Sequence, residues 1–179
     1  SVMPTSRAFL RRLLLCLLLG LGTPAAWAAT SVTAPDWTLD SSTGRSVQFH
    51  RDARGAPAVL FFWASWCPHC GAALPAMEAL YQQFAPRGVR FYAMNIWEDG
   101  DAVAYFARHG YHLPLFLAAD LVAEDYGVEG TPAVIVVDGE MHIRDLNIDG
   151  AAPEEIAASL RLFLEAALNH GQDRTVTAK

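Results

Sequence analysis

Apolar and polar positions change period several times along the chain, and each change marks an element. Trp37-Thr38-Leu39 and Ser46-Val47-Gln48-Phe49 alternate around Ser41-Ser42-Thr43-Gly44, which predicts a short hairpin or edge pair. Asp52 to Pro57, rich in Arg and Gly, predicts a connecting loop. Ala58-Val59-Leu60-Phe61-Phe62-Trp63 is apolar throughout, as a strand buried on both faces must be. From Gly71 the spacing turns helical: Ala72, Leu74, Met77, Leu80, Tyr81 and Phe84 recur at threes and fours. Pro75 falls inside that helix and should kink it, and Pro86-Arg87-Gly88 ends it. Val89 to Asn95 predicts a second inner strand. Asp101 to His109 predicts a short helix closed by Gly110. Leu115 to Ala118 predicts a short strand, and Leu121 to Tyr126 a helix or turn. Ala133 to Val137 predicts another buried strand, with Asp138-Gly139 as a two-residue hairpin turn and Met141 to Leu146 as its partner. Pro153, Glu154 and Glu155 suit the first turn of a last helix, whose apolar stripe is Ile156, Leu160, Phe163, Leu164 and Ala167. Gly171 to Lys179 predicts a loose tail. Strands joined through helices and finishing on an antiparallel hairpin imply an α/β fold with a mixed central sheet flanked by helices.

The N-terminus has a different character. Arg7, Arg11 and Arg12 precede the apolar run Leu13 to Leu21, and Ala26-Trp27-Ala28 supplies small residues two apart. That layout is expected of a secretory signal peptide over residues 1–28, cut after Ala28. The apolar run falls short of the ~20 residues needed to span a bilayer, so an uncleaved anchor is the weaker reading. Leu15 before Cys16 argues against lipid attachment there. Export implies a periplasmic location and an oxidising compartment. Without residues 1–28 the 13 Lys and Arg fall to ten against 19 Asp and Glu, a net charge of −9. Such an acidic chain is a poor partner for nucleic acid or for an anionic membrane. Residues 29–179 suffice for one domain with a real core.

Beyond the signal segment only Cys67 and Cys70 remain. A strand, a turn carrying Trp66-Cys67-Pro68-His69-Cys70, then a helix is the setting in which Cys-x-x-Cys reads as redox chemistry. With Cys67 as N-cap and Pro68 in the first helical position, free N–H groups and the helix dipole would favour the Cys67 thiolate. Cys70 would return to the same face, within disulfide reach. A purely structural disulfide would close too short a loop to stabilise much. A zinc site lacks a second Cys pair or a His-x3-5-His, so no metal ligands are assigned. Haem attachment would need His where Gly71 stands. His50, His109 and His112 have no metal-like spacing and are expected at the surface.

Taken together, these motifs resemble a known family. Phe62-Trp63-Ala64-Ser65-Trp66-Cys67 resembles the Phe-Trp-Ala-x-Trp-Cys run of thioredoxin-like proteins, Pro75 their helix-kinking proline, and Gly130-Thr131-Pro132 their cis-proline loop. Ala34 to Phe49 resembles the N-terminal β extension, and Asn95 to Leu117 the central insertion, of the exported TlpA/ResA group of thiol–disulfide oxidoreductases. The resemblance implies a thioredoxin-like domain over 29–179. It implies Cys67 as the exposed attacking sulfur, Cys70 as the buried resolving one, and Pro132 as a cis-proline facing the pair. Thr131 would offer its backbone to an extended substrate segment, and Trp66 an apolar docking rim. Glu98 resembles a glutamate that some of these proteins place near the cysteines.

Two departures bear on direction. Thioredoxins carry a buried Asp six residues before the first Cys, where this chain has Phe61; Glu98, through a water, would have to replace it as proton acceptor. Pro68-His69 between the cysteines resembles the oxidant DsbA, and His69 would stabilise the thiolate and raise the potential. The expected activity is thiol–disulfide exchange with protein substrates and no cofactor beyond the Cys67–Cys70 disulfide. The favoured direction is reduction, recharged by a membrane-bound redox partner as in cytochrome c maturation. The alternatives are a periplasmic thiol oxidant and a Cu(I)-handling chaperone using the two thiolates as soft ligands.

Overall fold

The unbroken apolar run at residues 58–63 becomes the centre of the molecule. The computed structural model describes residues 31–144, 146 and 151–177, with side chains through 169. The expected signal segment, with Cys16, lies outside the described residues. In chain order the elements are β1 (Thr38–Asp40), β2 (Ser46–Gln48), α1 (Phe49–Ala53), β3 (Ala58–Trp63), α2 (Pro68–Phe84) and β4 (Arg90–Asn95). They continue with α3 (Ala102–His109), β5 (Leu115–Phe116), α4 (Asp120–Asp125), β6 (Ala133–Val137), β7 (Ile143–Arg144) and α5 (Pro153–Thr177). The main sheet runs β5-β4-β3-β6-β7. β3 pairs in parallel with β4 and antiparallel with β6, so the sheet is mixed.

Every residue of β3 is buried because both faces are covered. Val59, Phe61 and Trp63 pack with Cys70, Leu74, Met77, Phe106 and Leu160 from α2, α3 and α5. Ala58, Leu60 and Phe62 pack on the other face with Trp37, Phe49, Met94 and Phe116. Each such fully buried large side chain contributes about 1.5–3 kcal/mol. The register of β3 against β4 sets Trp63 opposite Asn95. The end of β3 thereby meets the start of the loop after β4. Among the described residues no helix is long and apolar enough to cross a membrane.

Three local expectations are corrected. Phe49 opens helix α1 instead of ending a strand. The cause is distant in sequence: the Asp36 carboxylate accepts the His50 N–H at 2.9 Å, and Phe49 stacks on Trp37 with centroids 5.2 Å apart. The β6–β7 turn is longer than Asp138-Gly139. The Asp138 carboxylate accepts the N–H groups of Glu140 and His142, and Met141 turns the chain at φ 67°, so pairing begins only at Ile143. The expected loose tail is helical as far as Thr177. Once a helix is nucleated each residue adds a hydrogen bond, and Gly171 opposes this by only about 1 kcal/mol.

Candidate active site

The site begins where β3 stops. Ala64-Ser65-Trp66 turns the chain, and Cys67 caps α2 in extended conformation, φ −85° and ψ 111°, with Pro68 in the first turn. Proline suits that position because its missing N–H would have no helical partner there. The Cys70 N–H donates to Cys67 Sγ at 3.1 Å, so the sulfur sits at the free N–H groups of the helix. Cys67 and Cys70 form a disulfide with Cα atoms 5.2 Å apart. Cys70 is fully buried and Cys67 is only 5% exposed. The resemblance had implied an exposed sulfur at Cys67. In the oxidised state it is largely covered, because it is bonded to the buried Cys70 and lies 3.6 Å from the Thr131 carbonyl oxygen.

Two regions meet the turn that carries the disulfide. The first is the loop before β6, where the Thr131-Pro132 peptide is cis. Thr131 and Pro132 line a cleft of about 790 Å³ together with His69, Ala73, Pro153 and Ile156. Short and apolar side chains dominate this wall. His69 is exposed on it, beside the disulfide it separates.

The second region is the loop after β4. Asn95 Nδ2 and Ile96 N–H both donate to the Trp63 carbonyl, at 3.4 and 3.0 Å. Glu98 accepts from Ser65 N–H at 3.0 Å, Ser65 Oγ at 2.5 Å, Asn95 Nδ2 at 2.6 Å and Gly100 N–H at 2.9 Å. Burial alone would raise the Glu98 pKa, but the hydrogen bonds from Ser65 and Asn95, with those of the Ser65 and Gly100 backbones, outweigh it and hold the pKa below the ordinary value. Glu98 is thus a carboxylate clamped to Ser65, two residues before Cys67, and its hydrogen-bond partners do not include either cysteine. Trp66 Nε1 donates to the Trp97 carbonyl at 2.7 Å, and Trp97 N–H donates to Asp120 at 2.9 Å. Phe61, at the position of the thioredoxin aspartate, packs in the core with Cys70.

Ser65, Asn95, Trp97 and Asp120 were not read from the sequence as site residues. Their bonds join positions up to 33 apart, and nothing local announces them. The three histidines expected at the surface are engaged elsewhere. His50 contacts the Ala34 carbonyl, His109 stacks between Tyr105 and Tyr111, and His112 meets Glu78. Asp138, Glu140 and His142 bring their ligand atoms within 4.8 Å of one another, and Asp138 is already paired with Arg144.

Residues 31–146 match the AhpC/TSA family. The thiol–disulfide oxidoreductase ResA of Geobacillus thermodenitrificans (strain NG80-2) is 32% identical over 160 residues, 83% of this chain and 90% of its own. The thioredoxin-like protein YneN of Bacillus subtilis (strain 168) is 26% identical over 133 residues, 72% of this chain and 77% of its own. Among solved structures, a thiol:disulfide interchange protein of the thioredoxin family from Chlorobium tepidum TLS superposes with a TM-score of 0.65. It is 18% identical and covers 78% of this chain and 98% of its own, a likeness of fold.

Proposed function

The chain belongs to the AhpC/TSA family and is a thiol–disulfide oxidoreductase of ResA type, and we propose that it is exported and reduces disulfides in other proteins. The observation that carries the reading is the Cys67–Cys70 disulfide at the N-terminus of α2, with the Thr131 carbonyl 3.6 Å from Cys67 Sγ. In the reduced protein the helix N-terminus favours the Cys67 thiolate. That thiolate attacks one sulfur of a substrate disulfide, a mixed disulfide forms, and one substrate thiolate leaves. Cys70 then loses its proton and attacks Cys67 Sγ, releasing the second substrate sulfur as a thiol. The substrate gains two electrons and the protein is left as the disulfide. Thr131 and Pro132 line the cleft that would hold the substrate segment, and the exposed Trp66 supplies an apolar rim.

Export rests on the arginine, apolar and small-residue layout of residues 1–28, and it sets the protein in the periplasm. There a reductant must be recharged by a membrane-bound dithiol partner, with cytochrome c maturation as one outlet. The reaction needs no cofactor beyond the two sulfurs. Pro68, His69 and Glu98 tune the pair: proline and the helix terminus favour thiolate, His69 draws the potential upward, and Glu98 steadies the turn before Cys67. The test is the reduction potential of the Cys67–Cys70 couple beside an insulin-reduction assay. A potential close to thioredoxin's, about −270 mV, with insulin reduced, supports a reductant; one near −120 mV makes the protein an oxidant.

A further inference from the structure

A second groove, of about 460 Å³, lies between the loop that carries Trp97 and the Leu117–Asp120 segment, and that loop is bonded to Ser65 and Trp66 of the turn before Cys67. It shares no lining residue with the cis-proline cleft. Trp97 is 42% exposed, and its neighbour Trp66, bonded to its carbonyl, is 48% exposed. Val103 and Leu117 are exposed along the same groove. Large apolar side chains left in water side by side mark a docking surface more often than chance does. Here they form a built surface. Trp97 N–H is tied to Asp120, Ala119 N–H donates to the Asn95 carbonyl at 3.0 Å, and Glu98 fixes Ser65 and Asn95.

Charge selects the occupant. Glu98, Asp101 and Asp120 line the groove and exposed Asp99 adjoins it, while no Lys or Arg is among the lining residues. Glu98 is ionised under ordinary conditions. An indole face beside carboxylates is a receptor for guanidinium or ammonium, through cation–π contact and charge together. A second copy of a chain carrying −9 over residues 29–179 would bring like charge to the groove.

We propose that this groove docks an Arg- or Lys-bearing segment of the protein with which the Cys67–Cys70 pair exchanges. The proposal rests on the exchange reaction described above. Trp66 joins the two parts: it precedes Cys67 and bonds to Trp97, so a segment held on the indoles keeps its own sulfur beside Cys67.

The test uses two disulfide-containing peptides of one sequence, flanked by Arg or by Glu, and the uncharged bis(2-hydroxyethyl) disulfide. Reduced protein is mixed with each at low ionic strength, and the rate of oxidation of the Cys67–Cys70 pair is read. We expect the Arg peptide to react about ten-fold or more faster than the Glu peptide, a ratio that shrinks with salt. In Asp99→Arg/Val103→Arg the ratio should fall to about one. In Asp40→Arg/Leu162→Arg, a matched charge change at exposed positions elsewhere, it should keep most of its value. Equal loss in both pairs means a long-range field without a groove and overturns the proposal, as does a wild-type ratio of one or a preference for the Glu peptide. Failure to react even with bis(2-hydroxyethyl) disulfide would instead sink the oxidoreductase reading. A second measurement needs no variant. Titrating a cysteine-free Arg-Leu-Arg-Leu-Arg peptide into wild-type protein should shift the indole N–H resonances of Trp66 and Trp97 and leave those of Trp37 and Trp63 in place; unmoved Trp66 and Trp97 signals overturn the docking.

Discussion

The two regions that meet the turn carrying the disulfide are built differently. The cis-proline cleft offers backbone and small side chains: Thr131, Pro132, Ala73 and Pro153. The loop after β4 offers a carboxylate with four hydrogen-bond contacts and the exposed Trp97, with Asn95 at its start and the exposed Trp66 of the preceding turn bonded to it. A wall of backbone and short side chains accepts many sequences, because it reads the main chain of whatever lies on it. A wall of charge and indole rings discriminates. The same second wall also fixes the turn that delivers Cys67, so recognition and positioning share one set of bonds.

Removing the clamp should have the largest effect. Glu98→Ala leaves the donors of Ser65 and Gly100 without their acceptor and Asn95 Nδ2 with only the Trp63 carbonyl, and should cost about 2–3 kcal/mol of stability in urea unfolding. It should also slow alkylation of Cys67 in the reduced protein, which Ala152→Phe in the cis-proline cleft should not do. An unchanged urea midpoint would mean that the turn holds itself. Next comes the first wall. Ala152→Phe, which narrows the cleft, should lower kcat/KM for insulin by about ten-fold, or roughly 1.4 kcal/mol, and leave the reduction potential where it was. If the potential moved too, the cleft and the couple would not be separable.

Acid sharpens the contrast further. The folded-state pKa of Glu98 lies below the ordinary value of 4.5. Its stabilising contribution is therefore fully present above about pH 4.5 and is lost as pH falls through the folded pKa. The stability gap between wild type and Glu98→Gln, measured by urea unfolding, should hold from neutral pH down to that point and close below it. Glu78 follows the same sign. Burial raises its pKa, the donors of His112, Gln82 and Leu113 lower it, and the balance is downward. Glu78 therefore adds to acid unfolding in both proteins and cancels in the gap. The smallest effect is expected at Gly71. A Cβ there would lie 3.0 Å from the Tyr105 hydroxyl. That hydroxyl ends a partly exposed side chain that can give way, and alanine's better helix propensity offsets the contact. Gly71→Ala should change stability by less than about 1 kcal/mol, read as thermal midpoint; a loss well beyond that would place Tyr105 as a rigid support of α2.

Much of this was legible along the chain, and the reason is locality. The buried strand at 58–63, Pro68 after a capping Cys67, and Asp101 and Gly110 at the ends of α3 each declare themselves within a few residues. The mixed sheet followed from the order of such signals. What stayed hidden depends on partners far away. Asp36 starts α1 from 14 positions before His50. Glu98 reaches back 33 positions to Ser65, so its place near the cysteines could be expected but its attachment could not. Trp66 and Trp97 looked unrelated until a hydrogen bond 31 positions long joined them. The β6–β7 turn misled for another reason: an Asp-Gly pair reads as a two-residue hairpin, whereas the Asp138 carboxylate accepts backbone N–H groups of a wider loop.

In the proposed exchange Cys67 attacks and Cys70 resolves. Mass spectrometry of a single-cysteine variant incubated with a disulfide substrate tests it most directly. Cys70→Ser should accumulate a mixed disulfide on residue 67, while Cys67→Ser should accumulate little on residue 70 in the same time. Adducts formed equally fast on both variants, or only on Cys70, would contradict the account.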